Sequence, residues 1–189
     1  MIDVISFTDE KDKKLGTYFQ DSKNSLINNI GSLDDVCVLK EVGSEICTMS
    51  NVNQIMSNIN NKCICAVYTL HFKDTFVYST ACLTARDIGK QLVDDGCLAF
   101  VGFKEESQVL CDPDYANVIM NCDQACLFAF LNDNINLKEA LKLAITYYNT
   151  QIENCSRNDN IILQSILIAN REALCMYGDE TLTRNDFNH

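Results

Sequence analysis

Cys82 is the residue whose type and setting most suggest chemistry. It closes an apolar, strand-like run, Phe76-Val77-Tyr78-Ser79-Thr80-Ala81, and a helical pattern, Arg86 through Val93, follows at once. A thiol where a buried strand meets a helix lies near a helix N-terminus, where the dipole favours the thiolate. Ligands and chemistry in open α/β sheets also gather at the carboxyl ends of strands. Cys82 is therefore a candidate nucleophile, set against the plainer role of a small packing residue in a chain with 11 cysteines. Cys63 and Cys65 share one face of a strand and could be combined with Cys37, Cys47 or Cys97 as metal ligands. Structural zinc sites favour wider spacing in loops, so these read as packing. Cys122 and Cys126 share a helix face with Ile119 and Ala129 and read the same way. No Gly-rich phosphate loop is present, and two histidines leave no Ser-His-Asp arrangement to complete.

These residues need elements to hold them. Residues 2–7 read as a short strand. Thr8 then caps a helix with Asp9 and Glu10 in its first turn and Leu15, Tyr18, Phe19, Leu26, Ile27 and Ile30 at helical spacing, ending at Gly31. Residues 36–42 read as a second strand, and a helix starting at Ser50 or Asn51 carries Val52, Ile55, Met56 and Ile59. The apolar run 63–70 suits a strand buried on both faces. Residues 76–81 give a strand, 86–95 a helix and 97–103 the last clear strand. After Pro113 the pattern predicts helices over 115–132, 137–153 and 160–177, with Gly178 as the stop and a polar, frayed tail over 181–189. Alternating strands and helices predict an α/β fold with a mainly parallel sheet flanked by helices and a helical C-terminal part. The expected organisation is one domain, 1–189. It divides into a sheet with flanking helices (1–110), packed helices (111–180) and a tail.

Composition narrows the functional classes. The chain has 189 residues, 47% hydrophobic and 22% charged, which is globular. A formal net charge of −11 argues against nucleic-acid partners and suits basic ones. The cysteine count is odd, no secretory signal is visible at Met1-Ile2-Asp3-Val4, and no run approaches a membrane span. The expectation is a reduced, cytoplasmic protein that needs no cofactor or metal and acts on, or binds, another protein.

The order of several weak motifs resembles the caspase-like cysteine peptidases (clan CD), and more closely their bacterial relatives, including the CHAT-type domains. Those motifs are the strand ending Ala66-Val67-Tyr68-Thr69-Leu70-His71, the next strand ending Tyr78-Ser79-Thr80-Ala81-Cys82, and the segment Gly89 through Gly102-Phe103. Later come the helix from Lys138-Glu139-Ala140 to Tyr147-Tyr148-Asn149 and the closing Asn170-Arg171-Glu172-Ala173-Leu174 with Tyr177-Gly178-Asp179. The resemblance implies a sheet with helices on both faces, Cys82 as nucleophile, His71 as base and an oxyanion hole that includes the Cys82 amide. It also puts Glu105 and Glu106 near the substrate cleft, where two carboxylates would suit lysine or arginine in a protein substrate. Histidine titrates near neutrality, so it can protonate a leaving amine.

Two features separate this chain from the family pattern. Phe72 follows His71 where the family usually has glycine. The family also joins its histidine and cysteine strands, which run parallel, by a long crossover, whereas here only residues 72–75 separate His71 from Phe76. A hairpin at that point would part His71 and Cys82 by roughly 15–20 Å. A connection stretched back along the sheet would allow a dyad. The two functions that follow are a caspase-like cysteine endopeptidase and a catalytically inactive caspase-like pseudo-protease that works as an interaction module.

Overall fold

The computed structural model describes residues 2–8, 13–30, 33, 36–43, 63–66, 72–110 and 112–188. It is a mixed α/β structure. Strand β1 (Ile2–Thr8) is followed by α1 (Gly16–Ile30), β2 (Val36–Gly43), β3 (Cys63–Ala66) and β4 (Phe76–Tyr78). A π-helical turn, Ala85–Gly89, runs into α2 (Lys90–Asp94), and β5 (Ala99–Phe103) comes next. Three long helices follow, α3 (Pro113–Asn132), α4 (Leu137–Arg157) and α5 (Ile161–Ala173). The last elements are β6 (Leu174–Gly178) and a 3-10 turn, Arg184–Phe187. The sheet has the order β2-β1-β3-β4-β5-β6. All neighbouring pairs are parallel except β5 and β6.

Every residue of β4 and β5 is buried, as their apolar composition requires of interior parallel strands. Alternation divides them between two faces. Phe76, Tyr78, Ala99, Val101 and Phe103 join the main core with Phe130, Tyr148, Leu167 and Phe187. Phe100 points the other way, towards the helical turn that ends at Gly89. A Cβ on Gly89 would lie 2.7 Å from the Phe100 ring, and one on Gly102 2.8 Å from it. Glycine at both positions is what lets that ring lie between helix and sheet. The long helices begin on side-chain caps. Asp112 accepts from the Asp114 amide with Pro113 in the first turn, Asn136 accepts from the Glu139 amide, and Asn160 from the Leu163 amide.

Several local expectations change. The α1 helix begins at Gly16, not beside Thr8, and the 51–59 helix lies outside the described residues. β3 and β4 pair in parallel, with Ile64 opposite Phe76 and Cys65 opposite Val77, so they do not form a hairpin. β4 also ends at Tyr78, short of the expected 81. The expected helix 160–177 stops at Ala173, and Leu174–Gly178 becomes a sixth strand on the open edge of β5. An unpaired edge offers a full ladder of hydrogen bonds, which outweighs the weak helical preference of a single turn. The tail does not fray. Leu182 and Phe187 are buried, Thr183 bridges to Asn136, and the Arg184 guanidinium donates to the Leu131 carbonyl. Among the described residues, no helix is long and apolar enough to cross a membrane.

Candidate functional site

Cys82 lies in a strand-turn-helix corner at the carboxyl edge of β4. Ser79 prolongs the β4–β5 ladder by donating its amide to Val101 O at 2.9 Å. The chain then turns sharply. Ser79 Oγ accepts from the Ala81 amide at 3.3 Å, and Thr84 Oγ1 donates to Ala81 O at 2.9 Å. Leu83 takes a left-handed conformation, φ 63°. A leucine there is strained, and such strain tends to sit at functional positions. The helix begins directly afterwards with a π-helical turn, another feature over-represented at functional sites.

The corner leaves Cys82 exposed, whereas Cys97, Cys122, Cys126 and Cys155 are buried and Cys175 is half-buried. Burial pushes the Cys126 thiol up to about 12 and raises Cys122 and Cys155 as well, which keeps these groups as inert thiols. The Cys97 thiol lies within donating distance of the Thr75 and Ala99 carbonyls, at 3.2 and 3.0 Å, and belongs to the scaffold.

The segment after β5 passes over this corner. The Leu83 amide donates to Glu105 O at 3.3 Å. Cys82 Sγ donates to Ser107 O at 3.4 Å and shares a hydrogen bond with Ser107 Oγ at 3.3 Å. Glu105 and Glu106 are exposed in the same segment, so the fold brings both carboxylate-bearing residues to the neighbourhood of Cys82. Further along, Val109 and Leu110 help to wall a cavity of about 260 Å³ with Leu15, Tyr18, Pro113 and Met120.

His71 lies outside the described residues, as does His189. Phe72, which follows His71 in the chain, is buried and stands at the opposite edge of the sheet from Cys82. Phe72 O accepts both the Thr75 amide and the Thr75 hydroxyl, and the next residues meet Gly96 O through the Asp74 amide. The extended stretch from Thr75 to Ser79 alone spans about 13 Å. The Phe72 amide is therefore not a donor for an oxyanion formed at Cys82, and its ring belongs to the core.

A buried polar cluster lies behind the corner, and sequence reasoning did not single it out. Asp123, in the middle of α3, is 2% exposed. Its carboxylate accepts hydrogen bonds from the Tyr148 hydroxyl, from Tyr18 at 3.3 Å and from Asn170 Nδ2 at 3.5 Å. The Tyr78 hydroxyl donates to its main-chain carbonyl. Burial pushes the Asp123 carboxyl up to about 7, against the pull of its three side-chain donors in the other direction. Burial likewise raises the Tyr18, Tyr78 and Tyr148 hydroxyls, so they remain donors. Asn170, fully buried, also holds the main chain of Gln108. The Gln108 amide donates to Asn170 Oδ1 at 2.8 Å, and Asn170 Nδ2 donates to Gln108 O at 3.0 Å. The available sequence signal was a carboxylate flanked by Ile119, Met120, Cys122, Cys126 and Leu127.

Comparisons with protein-family models, with curated proteins and with solved structures find no match.

Proposed function

We propose that this chain is a caspase-like cysteine endopeptidase in which Cys82 is the nucleophile. One observation carries this reading. Of Cys82, Cys97, Cys122, Cys126, Cys155 and Cys175, Cys82 is the one exposed, and it sits on a strained strand-to-helix corner at the carboxyl edge of a parallel strand. The parallel pairing of β3 with β4 gives further support, because the family's histidine and cysteine strands run parallel. In the reaction, Sγ bonds to the scissile carbonyl carbon and the C–N bond breaks. The amine leaves with a proton from the general acid, and water then hydrolyses the thioester. The resemblance assigns the proton transfers to His71. The exposed Glu105 and Glu106 favour lysine or arginine near the scissile bond.

A second reading is the pseudo-protease. The position of Phe72 favours it, since the residue after His71 stands across the sheet from Cys82. The two readings separate on a library of unstructured peptides presented to wild-type, Cys82→Ala and His71→Ala proteins. The endopeptidase reading predicts that Cys82→Ala abolishes cleavage and that His71→Ala lowers it by about 10²–10⁴-fold. Undiminished cleavage by Cys82→Ala would sink it. Absence of cleavage, with Cys82 alkylating no faster than an ordinary exposed thiol, would establish the pseudo-protease instead.

A further inference from the structure

The segment 104–108 is tied to α5 at both of its ends. The Lys104 amide donates to Ala173 O at 2.9 Å, and Gln108 is bracketed by the Asn170 side chain at 2.8 and 3.0 Å. Asn170 and Ala173 are three residues apart, so they lie on the same helix face. Between these two anchors come the two contacts to the corner, Glu105 O with the Leu83 amide and Ser107 with Cys82 Sγ.

We propose that Asn170 is the positioning residue of this site: it pins Gln108, and so holds Ser107 against Cys82, while Asp123 fixes the orientation of the Asn170 amide. The side-chain amide donates from one atom and accepts at the other, and the bracket needs each to face its own partner on Gln108. A flipped amide would set oxygen against oxygen and nitrogen against N–H. Ionised, as it is above about pH 7, the Asp123 carboxyl can only accept, so it selects the orientation in which Nδ2 faces both Asp123 Oδ1 and Gln108 O. All three groups are buried or half-buried at the contact, where an unmatched polar pair is costly. The inference rests on the assignment of Cys82 as the reactive group, but its test uses no peptide substrate.

The test is the rate of iodoacetamide alkylation at Cys82, resolved by peptide mass spectrometry in the full chain at a fixed pH above about 7, where Asp123 is ionised. Asn170→Ala removes the bracket, and Asn170→Asp keeps the acceptor for the Gln108 amide while setting two carboxyl groups together. Both should raise the Cys82 rate on the order of tenfold, the worth of one or two lost hydrogen bonds. The double variant Asp123→Asn/Asn170→Asp re-pairs residues 123 and 170 but sets a carboxylate oxygen against Gln108 O, so its rate should stay raised. A merely structural role of the 123–170 pair would be repaired by this exchange. Rates unchanged or lowered in folded single variants, or a double variant back at the wild-type rate, would overturn the proposal. If the variants do not fold, amide exchange in the wild-type protein decides. The Gln108 amide should be protected although its side chain is exposed, and exchange at the rate of an open loop would overturn the proposal.

Discussion

At the scale of single residues, Asp123 makes the sharpest physical statement. An ordinary aspartate has released its proton by pH 5, but burial lifts this one to about 7. Between about pH 4 and 7 the native chain therefore holds a proton that the unfolded chain has lost. The stability this group contributes is complete below the unfolded value of 3.8 and is lost as pH rises through about 7. Its neighbours Tyr18, Tyr78, Tyr148 and Cys122 are all shifted upward and stay protonated through that window. Asp123→Asn, which cannot ionise, should flatten this part of the profile. Urea midpoints measured from pH 4 to 8 should show the wild type losing stability relative to the variant as pH rises. Parallel profiles would remove Asp123 as the titrating group. Comparison with the variant matters because a chain of net charge −11 also destabilises itself by repulsion as its surface carboxylates ionise.

At the scale of elements, the carboxyl-edge corner depends on β5 being held from both sides. β4 fixes one edge and β6 the other, and β6 ends at Gly178 with φ 92°. A Cβ there would approach Leu98 O to 2.4 Å in a conformation that L side chains rarely adopt. Gly178→Ala should cost about 1–3 kcal/mol, read as a lowered thermal midpoint. An unchanged midpoint would argue against the close approach of residue 178 to Leu98. The apolar periodicity of 160–173 made α5 legible. The strand that follows was not, because Leu174-Cys175-Met176-Tyr177 is as compatible with a helix as with a strand. The choice was made by the vacant ladder of β5, a partner some seventy residues away in sequence.

At the scale of the whole molecule, the C-terminal residues close the core. Phe187 is fully buried and meets Phe130 edge-on with ring centroids 6.3 Å apart, while Phe130 in turn meets Phe76 at 5.0 Å. This aromatic series links the tail to α3 and to the strand that leads to Cys82. Phe187→Ala should therefore destabilise by about 3–5 kcal/mol, as truncation of a buried aromatic does. A frayed tail would show no change in the thermal midpoint. The polar residues around Phe187 concealed this from sequence reasoning. Leu182 and Phe187 are isolated apolar positions, and neither forms a periodic pattern with its neighbours.

The sequence by itself determined the class of fold and the candidate nucleophile. Apolar runs with helical stretches between them specify parallel strands with helices packed against them, and a strand-to-helix junction specifies where a reactive thiol could sit. Those are local properties, set by periodicity over a few residues. Tertiary structure alone decided the direction of β3 against β4, the conversion of 174–178 into a strand and the docking of the tail. It also joined Cys82, Ser107, Gln108, Asn170 and Asp123 into one connected set. Each of these depends on residues distant in sequence sharing a buried space, where polar groups must find partners and open edges must be covered. No local pattern encodes which distant group will supply the missing hydrogen bond.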